Sequence, residues 1–137
     1  MTDTEREYTG IEYTTVQERM GSYSGLIAIM ADYLGLAVAN VNVAIATACW
    51  NEACQEADAY CQNDFAEITE ARPPFTGVKL PTGVQSFVIV WACRSYVRRI
   101  PGTVEEVEGA VTLKSADETT AVDKARFLYP YRKSPGL

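Results

Sequence analysis

The chain has 137 residues, of which 47% are hydrophobic and 22% charged, and its net charge is −6. This length suits a single domain that buries a core without disulfides or metal, and the composition is that of a soluble globular protein. The first residues lack the pattern of a secretory signal and the longest apolar run is too short to cross a bilayer, which predicts a cytosolic protein. Histidine is absent, which excludes Ser-His-Asp and Cys-His catalysis and every His-containing metal site.

The charge is divided unevenly along the chain. Residues 1–71 contain two basic and twelve acidic residues, net −10, whereas residues 72–137 contain ten basic and six acidic residues, net +4. In a monomer the two halves complement each other internally, and in a ring of copies they would favour contacts between unlike surfaces of neighbours. No stretch is basic enough for a duplex-binding footprint.

The first half of the chain predicts an N-terminal arm followed by two helices. The arm is residues 1–20, of which residues 1–17 are polar, acidic and weakly patterned, and we expect a partner to order it in part. Apolar residues recur at helical spacing over residues 20–36. After a connection in which Asn40 or Asn42 can act as N-cap, a long helix is predicted over residues 43–64, with a buried seam made mostly of Ala and Cys.

The second half begins with a loop, residues 65–79, and continues with the most hydrophobic helix of the chain, residues 80–100. Two prolines in the loop prevent regular helix, and Thr82 is a candidate N-cap for the helix that follows. This helix is apolar on two flanks, and a small monomer can rarely cover both, which favours assembly. The residues assigned to the core or to a contact between subunits are Phe87, Trp91, Arg94, Tyr96, Arg98 and Arg99.

The remainder of the chain predicts a short strand or hairpin at residues 110–114, a last helix at residues 116–128 and an extended tail at residues 129–137. The chain therefore divides into the N-terminal arm 1–20, a helical domain 21–128 and the tail. The fold class is mainly α: a small helical bundle with two long central helices, a short β segment and an extended C-terminal tail.

The residues that could carry chemistry favour structural roles. Four cysteines without a CxxC pair indicate free, buried thiols rather than a disulfide, redox or zinc site. Glu52, Glu56 and Asp58 form an acidic face on the second long-helix segment, residues 43–64. For the groups Glu52/Glu56 and Glu105/Glu106/Glu108, a general acid and base or a Mg²⁺ site is the alternative to a solvated surface, but neither group has an apolar context that would shift its pKa values. The arginines at the end of the central helix could contact phosphate, but complementing the helix dipole or a neighbour's acids is more usual. We therefore expect no enzymatic activity, no cofactor and no metal.

The order of these features resembles a known family, the head-tail connector proteins of tailed bacteriophages, also called head-completion or adaptor proteins, and of related gene transfer agents. The resemblance covers residues 26–133. It comprises a short opening helix, a long helix, a variable loop, a second apolar helix ending in Arg, a valine-rich segment and a last helix. The motifs that carry it are Asp32-Tyr33-Leu34-Gly35, Ala59-Tyr60-Cys61-Gln62-Asn63-Asp64-Phe65, Leu80-Pro81 and Leu128-Tyr129-Pro130-Tyr131-Arg132. The N-terminal arm is longer, and the second helix richer in Ala and Cys, than in the family pattern.

The resemblance implies a structural virion protein, assembled in the host cytoplasm, that forms a ring between portal and tail. Such a ring, dodecameric in this family, extends the channel through which duplex DNA passes without sequence-specific binding, and it offers a surface for a downstream neck or tail protein. By position, the resemblance assigns portal docking to the tail residues Tyr129, Pro130, Tyr131, Arg132 and Lys133. The alternative drawn from the residues alone is a small cytosolic helical domain with a partner-binding or regulatory role, whose second apolar flank binds a client helix.

Overall fold

The computed structural model describes residues 13–100 and 124–133. Its helices are α1 (Thr15–Met20), α2 (Leu26–Leu34), α3 (Val43–Cys61) and α4 (Thr82–Arg99), and a 3₁₀ turn at Val38–Asn40 joins α2 to α3. A π-helical turn at Lys124–Leu128 and a 3₁₀ turn at Tyr129–Tyr131 follow. The described residues are mainly helical and include no strand. The strand predicted at residues 110–114 lies outside them, as does most of the predicted last helix.

The centre of the fold is the antiparallel pair of α3 and α4. The amide of Asn42, just before α3, donates to the hydroxyl of Tyr96 near the end of α4 over 2.9 Å, and Arg99 pairs with Glu52. The predicted seam of small residues is confirmed, since Ala46, Cys49, Ala53 and Ala57 have no exposed surface. Small side chains on α3 let the larger side chains of α4 pack closely against it.

Both flanks of α4 are covered within the monomer. The helix packs against α2, α3 and the turn Lys124–Leu128, and ten of its residues are buried. Phe87 and Tyr96 belong to the core, as expected, whereas Trp91 is only partly buried. The expectation that a monomer would leave one flank of α4 open is therefore wrong, because α2 and the C-terminal segment fold over the flank that α3 leaves free.

Helix α1 is a buried part of the fold rather than part of an arm. Val16 and Met20 have at most 1% of their surface exposed, and the Met20 carbonyl accepts a hydrogen bond from the indole of Trp50 at 2.6 Å. The N-terminus of α1 is capped from a distance, because the two oxygens of Asp58 accept the backbone N–H groups of Val16 and Gln17 at 2.8 and 3.0 Å. Residues 15–20, which the sequence pattern assigned to the arm, therefore pack together with the helices that follow.

The helix ends show which predicted caps operate. Asn42 caps α3, since its side-chain oxygen accepts from the amide of Ile45 at 3.1 Å. Gly35 ends α2 in the left-handed region, with φ of 74°, which an L-residue with a Cβ adopts only at a cost. Thr82 does not cap α4, because its hydroxyl donates instead to the Pro73 carbonyl at 2.7 Å.

One buried side chain, Gln85, holds the predicted loop between α3 and α4. Its amide oxygen accepts from the amide of Phe75 at 2.9 Å, and its amide nitrogen donates to the carbonyls of Arg72 and Leu80 at 2.9 and 2.8 Å. The ring of Phe75 then lies 5.7 Å from that of Trp50. A loop without regular structure is thus held against α4 by Gln85, in addition to the bond that Thr82 makes to Pro73.

Candidate functional site

The segment from Lys124 to Lys133, here the C-terminal segment, folds back along α3 and α4. Leu128 is fully buried among the core residues, and the amide nitrogen of Asn63 donates to the carbonyl of Tyr131 at 2.8 Å. The backbone amide of Lys133 donates to the last carbonyl of α3, that of Cys61, also at 2.8 Å. The predicted extended tail is therefore wrong for residues 129–133, because these hydrogen bonds give the segment a fixed course.

The C-terminal segment approaches α4 closely at Gly83. A Cβ at this position would lie 2.8 Å from the carbonyl oxygen of Phe127 and 3.0 Å from the ring of Tyr131. The contact therefore requires glycine although the backbone at residue 83 is ordinary helix. This close approach fixes where Tyr131 lies and, through it, how the next residues are directed.

The outer side of the C-terminal segment exposes the aromatic ring of Tyr129 beside cationic side chains. Tyr129 is 66% exposed, and Pro130, Arg132 and Lys133 are exposed as well. The guanidinium of Arg132 lies over the ring of Tyr60 at 4.9 Å from its centroid, which restrains the cation without neutralising it. Of the five residues assigned to docking, four face outward and one, Tyr131, is partly buried as an anchor.

The three residues predicted as an acidic face are not equivalent. Glu52 pairs with Arg99, and Glu56 pairs with Lys124 at 2.7 Å. Asp58 is 3% exposed and its two oxygens serve α1, so its assignment to a solvated face is wrong. Burial raises the pKa of Asp58, whereas the two amide hydrogen bonds act in the opposite direction. The ion pairs join the acidic half of the chain to its basic half, so part of the charge complementarity is satisfied within one molecule.

The residues assigned to α4 divide into core and surface. Phe87 and Tyr96 are buried and cannot contact a neighbour directly. Trp91 and Arg94 are partly buried, and Arg98 is exposed. Arg99 is exposed but engaged by Glu52, a hydrogen bond that raises the pKa of the guanidinium. Of this set, only Trp91 and the three arginines retain surface with which a partner could make contact.

The cysteines are structural, as predicted. All four are buried, and none of them forms a disulfide. Burial, aided by the nearby charge of Asp58, raises the pKa of Cys61 to about 12, and burial likewise raises the pKa of Cys49 and Cys54. The thiolate is the nucleophilic and metal-binding form, so these thiols are unsuited to redox or metal chemistry. Within the described ranges, no group of three His, Cys, Asp or Glu residues is placed to hold a metal ion.

A polar groove of about 470 Å³ lies between α1 and α3. The residues that line it include Tyr13, Gln17, Gln55, Asp58 and Gln62. The Asp58 oxygens are already occupied by backbone amides, and the Gln17 amide nitrogen donates to Asn51 at 2.7 Å. The groove therefore offers hydrogen-bonding amides but no free charged group around which chemistry could be organised.

The residues that position the C-terminal segment were not identified from the sequence. Asn63 connects two distant stretches, since its oxygen accepts from the amide of Phe65 at 2.7 Å while its nitrogen binds Tyr131. An Asn after a helix predicts a turn, which accounts for the bond from Phe65. The bond to Tyr131 depends on a residue 68 positions further along the chain, and no local sequence pattern predicts such a pairing.

Comparisons with known proteins identify no relative of this chain. No family model matches the chain, and neither a curated protein nor a solved structure matches it. In the part of the chain that the structure describes, no helix has both the length and the apolar character needed to cross a membrane.

Proposed function

We propose that this protein is a structural connector of tailed bacteriophages, which forms a ring between the portal and the neck or tail and extends the DNA channel. The observation that carries the proposal is the C-terminal segment, whose Tyr129 tip projects from a fixed backbone among exposed cations. Exposed aromatic side chains beside Arg are typical of protein-binding sites. The order of the helices and the Leu128–Arg132 motif support the same reading by resemblance.

The anchoring of the segment refines which residues dock. Tyr129, Pro130, Arg132 and Lys133 face outward and form the docking residues of the proposal. Tyr131 serves them indirectly, because its carbonyl is held by Asn63 and its ring lies against Gly83. Presenting a binding group from an ordered backbone avoids the entropy cost of ordering a free tail when it binds. The partners in the proposal are other copies of the chain, the portal and a downstream neck protein, with duplex DNA passing through the ring.

Portal binding can be tested with variants that separate docking from folding. The chain is mixed with the portal protein encoded in the same genome neighbourhood, and the complexes are imaged by electron microscopy. Wild type is expected to add a ring of density below the portal. Tyr129→Ala combined with Lys133→Ala removes outward side chains only and should abolish the added density without loss of stability.

A matched control for docking is Thr76→Ala, an exposed position in the loop before α4. It should bind the portal as wild type does. Wild-type protein that adds nothing to the portal would refute the connector proposal. Equal binding by wild type and the Tyr129/Lys133 double variant would refute the assignment of the docking residues. The alternative proposal is a small helical partner-binding or regulatory domain, and a pulldown dominated by a host factor instead of the portal would favour it.

A further inference from the structure

The outward side of the C-terminal segment carries two arginines with a tyrosine between them. Arg126, Tyr129 and Arg132 are spaced by three residues, and all three are exposed. The inward positions have the same spacing, since Leu128 is buried and Tyr131 is partly buried. Both parts of the segment are helical turns, and the amide of Arg132 donates to the carbonyl of Tyr129 at 3.1 Å. Residues three apart in such turns lie on one side of the backbone, so the exposed residues form a row, here the Arg–Tyr–Arg row.

The row lies in a stretch without acidic residues. Residues 124–133 include four basic side chains and no Asp or Glu. Lys124 is paired with Glu56, so one of the four charges is balanced within the molecule. No carboxylate in the described ranges forms an ion pair with the other three, Arg126, Arg132 and Lys133. Among the described residues, the outward side of the segment therefore carries three positive charges without an opposite partner.

Each arginine of the row is restrained by an aromatic ring. The guanidinium of Arg126 lies 5.2 Å from the ring centroid of Phe127, and that of Arg132 lies 4.9 Å from the ring centroid of Tyr60. A cation–π contact limits the motion of a guanidinium but leaves its charge and its hydrogen-bond donors available. The segment therefore presents two oriented guanidinium groups on either side of an exposed phenol ring.

We infer that the Arg–Tyr–Arg row binds an acidic protein surface, in which carboxylates lie on either side of an apolar pocket that takes the Tyr129 ring. Arg126 is thereby added to the docking residues of the proposed function. Arginine binds a carboxylate through two parallel hydrogen bonds, and a tyrosine ring in a pocket supplies the contact that anchors an interface at its centre. That this surface belongs to the portal rests on the proposed function, whereas its acidic character rests on the row.

Nucleic acid also combines negative charge with flat rings, but the described fold favours protein as the partner of the row. Binding to duplex DNA draws on several neutralised phosphates at once, which requires a broad basic face. The basic area here is bounded by acidic residues of α3, because Glu56 pairs with Lys124 and Glu52 pairs with Arg99. The net charge of −6 on the whole chain also opposes a long polyanion. An acidic protein surface needs only the few cations that the row supplies.

Fluorescence anisotropy of labelled probes tests the inference on the full chain without portal. One probe is a short peptide in which Glu residues flank Leu, and the other is a thymidine oligonucleotide of the same net charge. Wild type should bind the peptide more tightly than the oligonucleotide. Raising the salt concentration from about 50 mM to about 500 mM should weaken peptide binding about tenfold or more, because salt screens the charge contacts. Arg126→Glu should weaken it to a similar extent at low salt, since it places a like charge opposite the carboxylates.

Arg72→Glu is the matched control, because it makes the same change of charge at an exposed position in the loop before α4. It should bind the peptide nearly as wild type does. If circular dichroism shows that Arg126→Glu is not folded, Arg126→Gln, which removes only the charge, replaces it. Three results would overturn the inference: no binding of the peptide at low salt, tighter binding of the oligonucleotide, or equal weakening by the changes at residues 126 and 72.

Portal binding by the same variants separates this inference from the proposed function. Peptide binding that depends on Arg126, together with no binding of wild type to the portal, would support an acidic partner and refute the connector. Portal binding that Arg126→Glu and high salt leave unchanged would support the connector and refute the acidic surface. Portal binding that both of them weaken would support the two proposals together.

Discussion

The strongest structural prediction concerns Asp58, the buried carboxylate that caps α1 from α3. In Asp58→Ala the amides of Val16 and Gln17 lose acceptors now at 2.8 and 3.0 Å. Loss of an N-cap costs about 1 kcal/mol, and a buried donor left unpaired costs about 1–3 kcal/mol. Because water can reach the less buried of the two amides, we expect a loss of about 2–4 kcal/mol in the free energy of unfolding.

The consequences should spread to the packing of α1. Val16 and Met20 lie in the core, and the Met20 carbonyl binds the indole of Trp50. Urea unfolding followed by circular dichroism gives the free energy, and tryptophan fluorescence reports whether Trp50 loses its surroundings. Asp58→Asn retains one acceptor and should lose about 1–2 kcal/mol.

Glu52→Ala provides the comparison for Asp58→Ala. Glu52 lies on the same helix and makes an ion pair, but its side chain is 41% exposed. A screened surface pair contributes about 0–1 kcal/mol. If Asp58→Ala destabilised the protein by no more than Glu52→Ala, the reasoning that Asp58 holds α1 in place would be refuted.

Three further predictions follow from burial and close contact. Burial raises the pKa of Asp58, so the folded protein binds the carboxyl proton more tightly than the unfolded chain does. The difference in unfolding free energy between wild type and Asp58→Ala should therefore narrow as pH rises from about 4 through the folded-state pKa. If urea unfolding shows that this difference widens over the same range, the prediction is wrong. Trp50→Ala should lower the free energy of unfolding by about 3–5 kcal/mol and Trp91→Ala by clearly less, because Trp50 is fully buried and Trp91 only partly buried. Unfolding measurements that reverse this order would show that the core has been assigned wrongly. Gly83→Ala should expose the peptide bonds after Lys124 and Arg126 to trypsin, because the added Cβ would clash with Phe127 and Tyr131. Helix propensity alone would make the same change stabilising by about 1 kcal/mol. Unchanged cleavage together with a gain in stability would therefore refute the close contact.

The local pattern of the sequence determined the helices α2, α3 and α4 and most of their buried faces. A period of 3.6 residues identified α2, α3 and α4, and the small residues Ala46, Cys49 and Ala53 lie on the buried face of α3 as predicted. Asn42 and Gly35 could be recognised because capping is decided within four residues of a helix end. These properties depend on neighbours along the chain, so they can be read from the chain alone.

The partners of the helices were decided by the tertiary structure. Asp58 follows the polar pattern of α3, yet it is buried by a helix that begins 43 positions earlier in the chain, at Thr15. Gln85 and Asn63 look like surface residues by type, but they bind backbone groups of a loop and of the C-terminal segment. Periodicity reports that a face is apolar and says nothing about which segment covers it.

The same distinction between local pattern and long-range contact applies to the candidate site. The residue types in Tyr129–Lys133 identified an adhesive segment, since aromatic and cationic side chains favour interfaces wherever they lie. Only the folded chain decided that Tyr131 faces inward while Tyr129 faces outward, because that choice depends on Asn63 and Gly83. The sequence thus determined α2, α3 and α4 and the chemistry of the C-terminal segment, and long-range contacts determined which side chains of that segment are exposed.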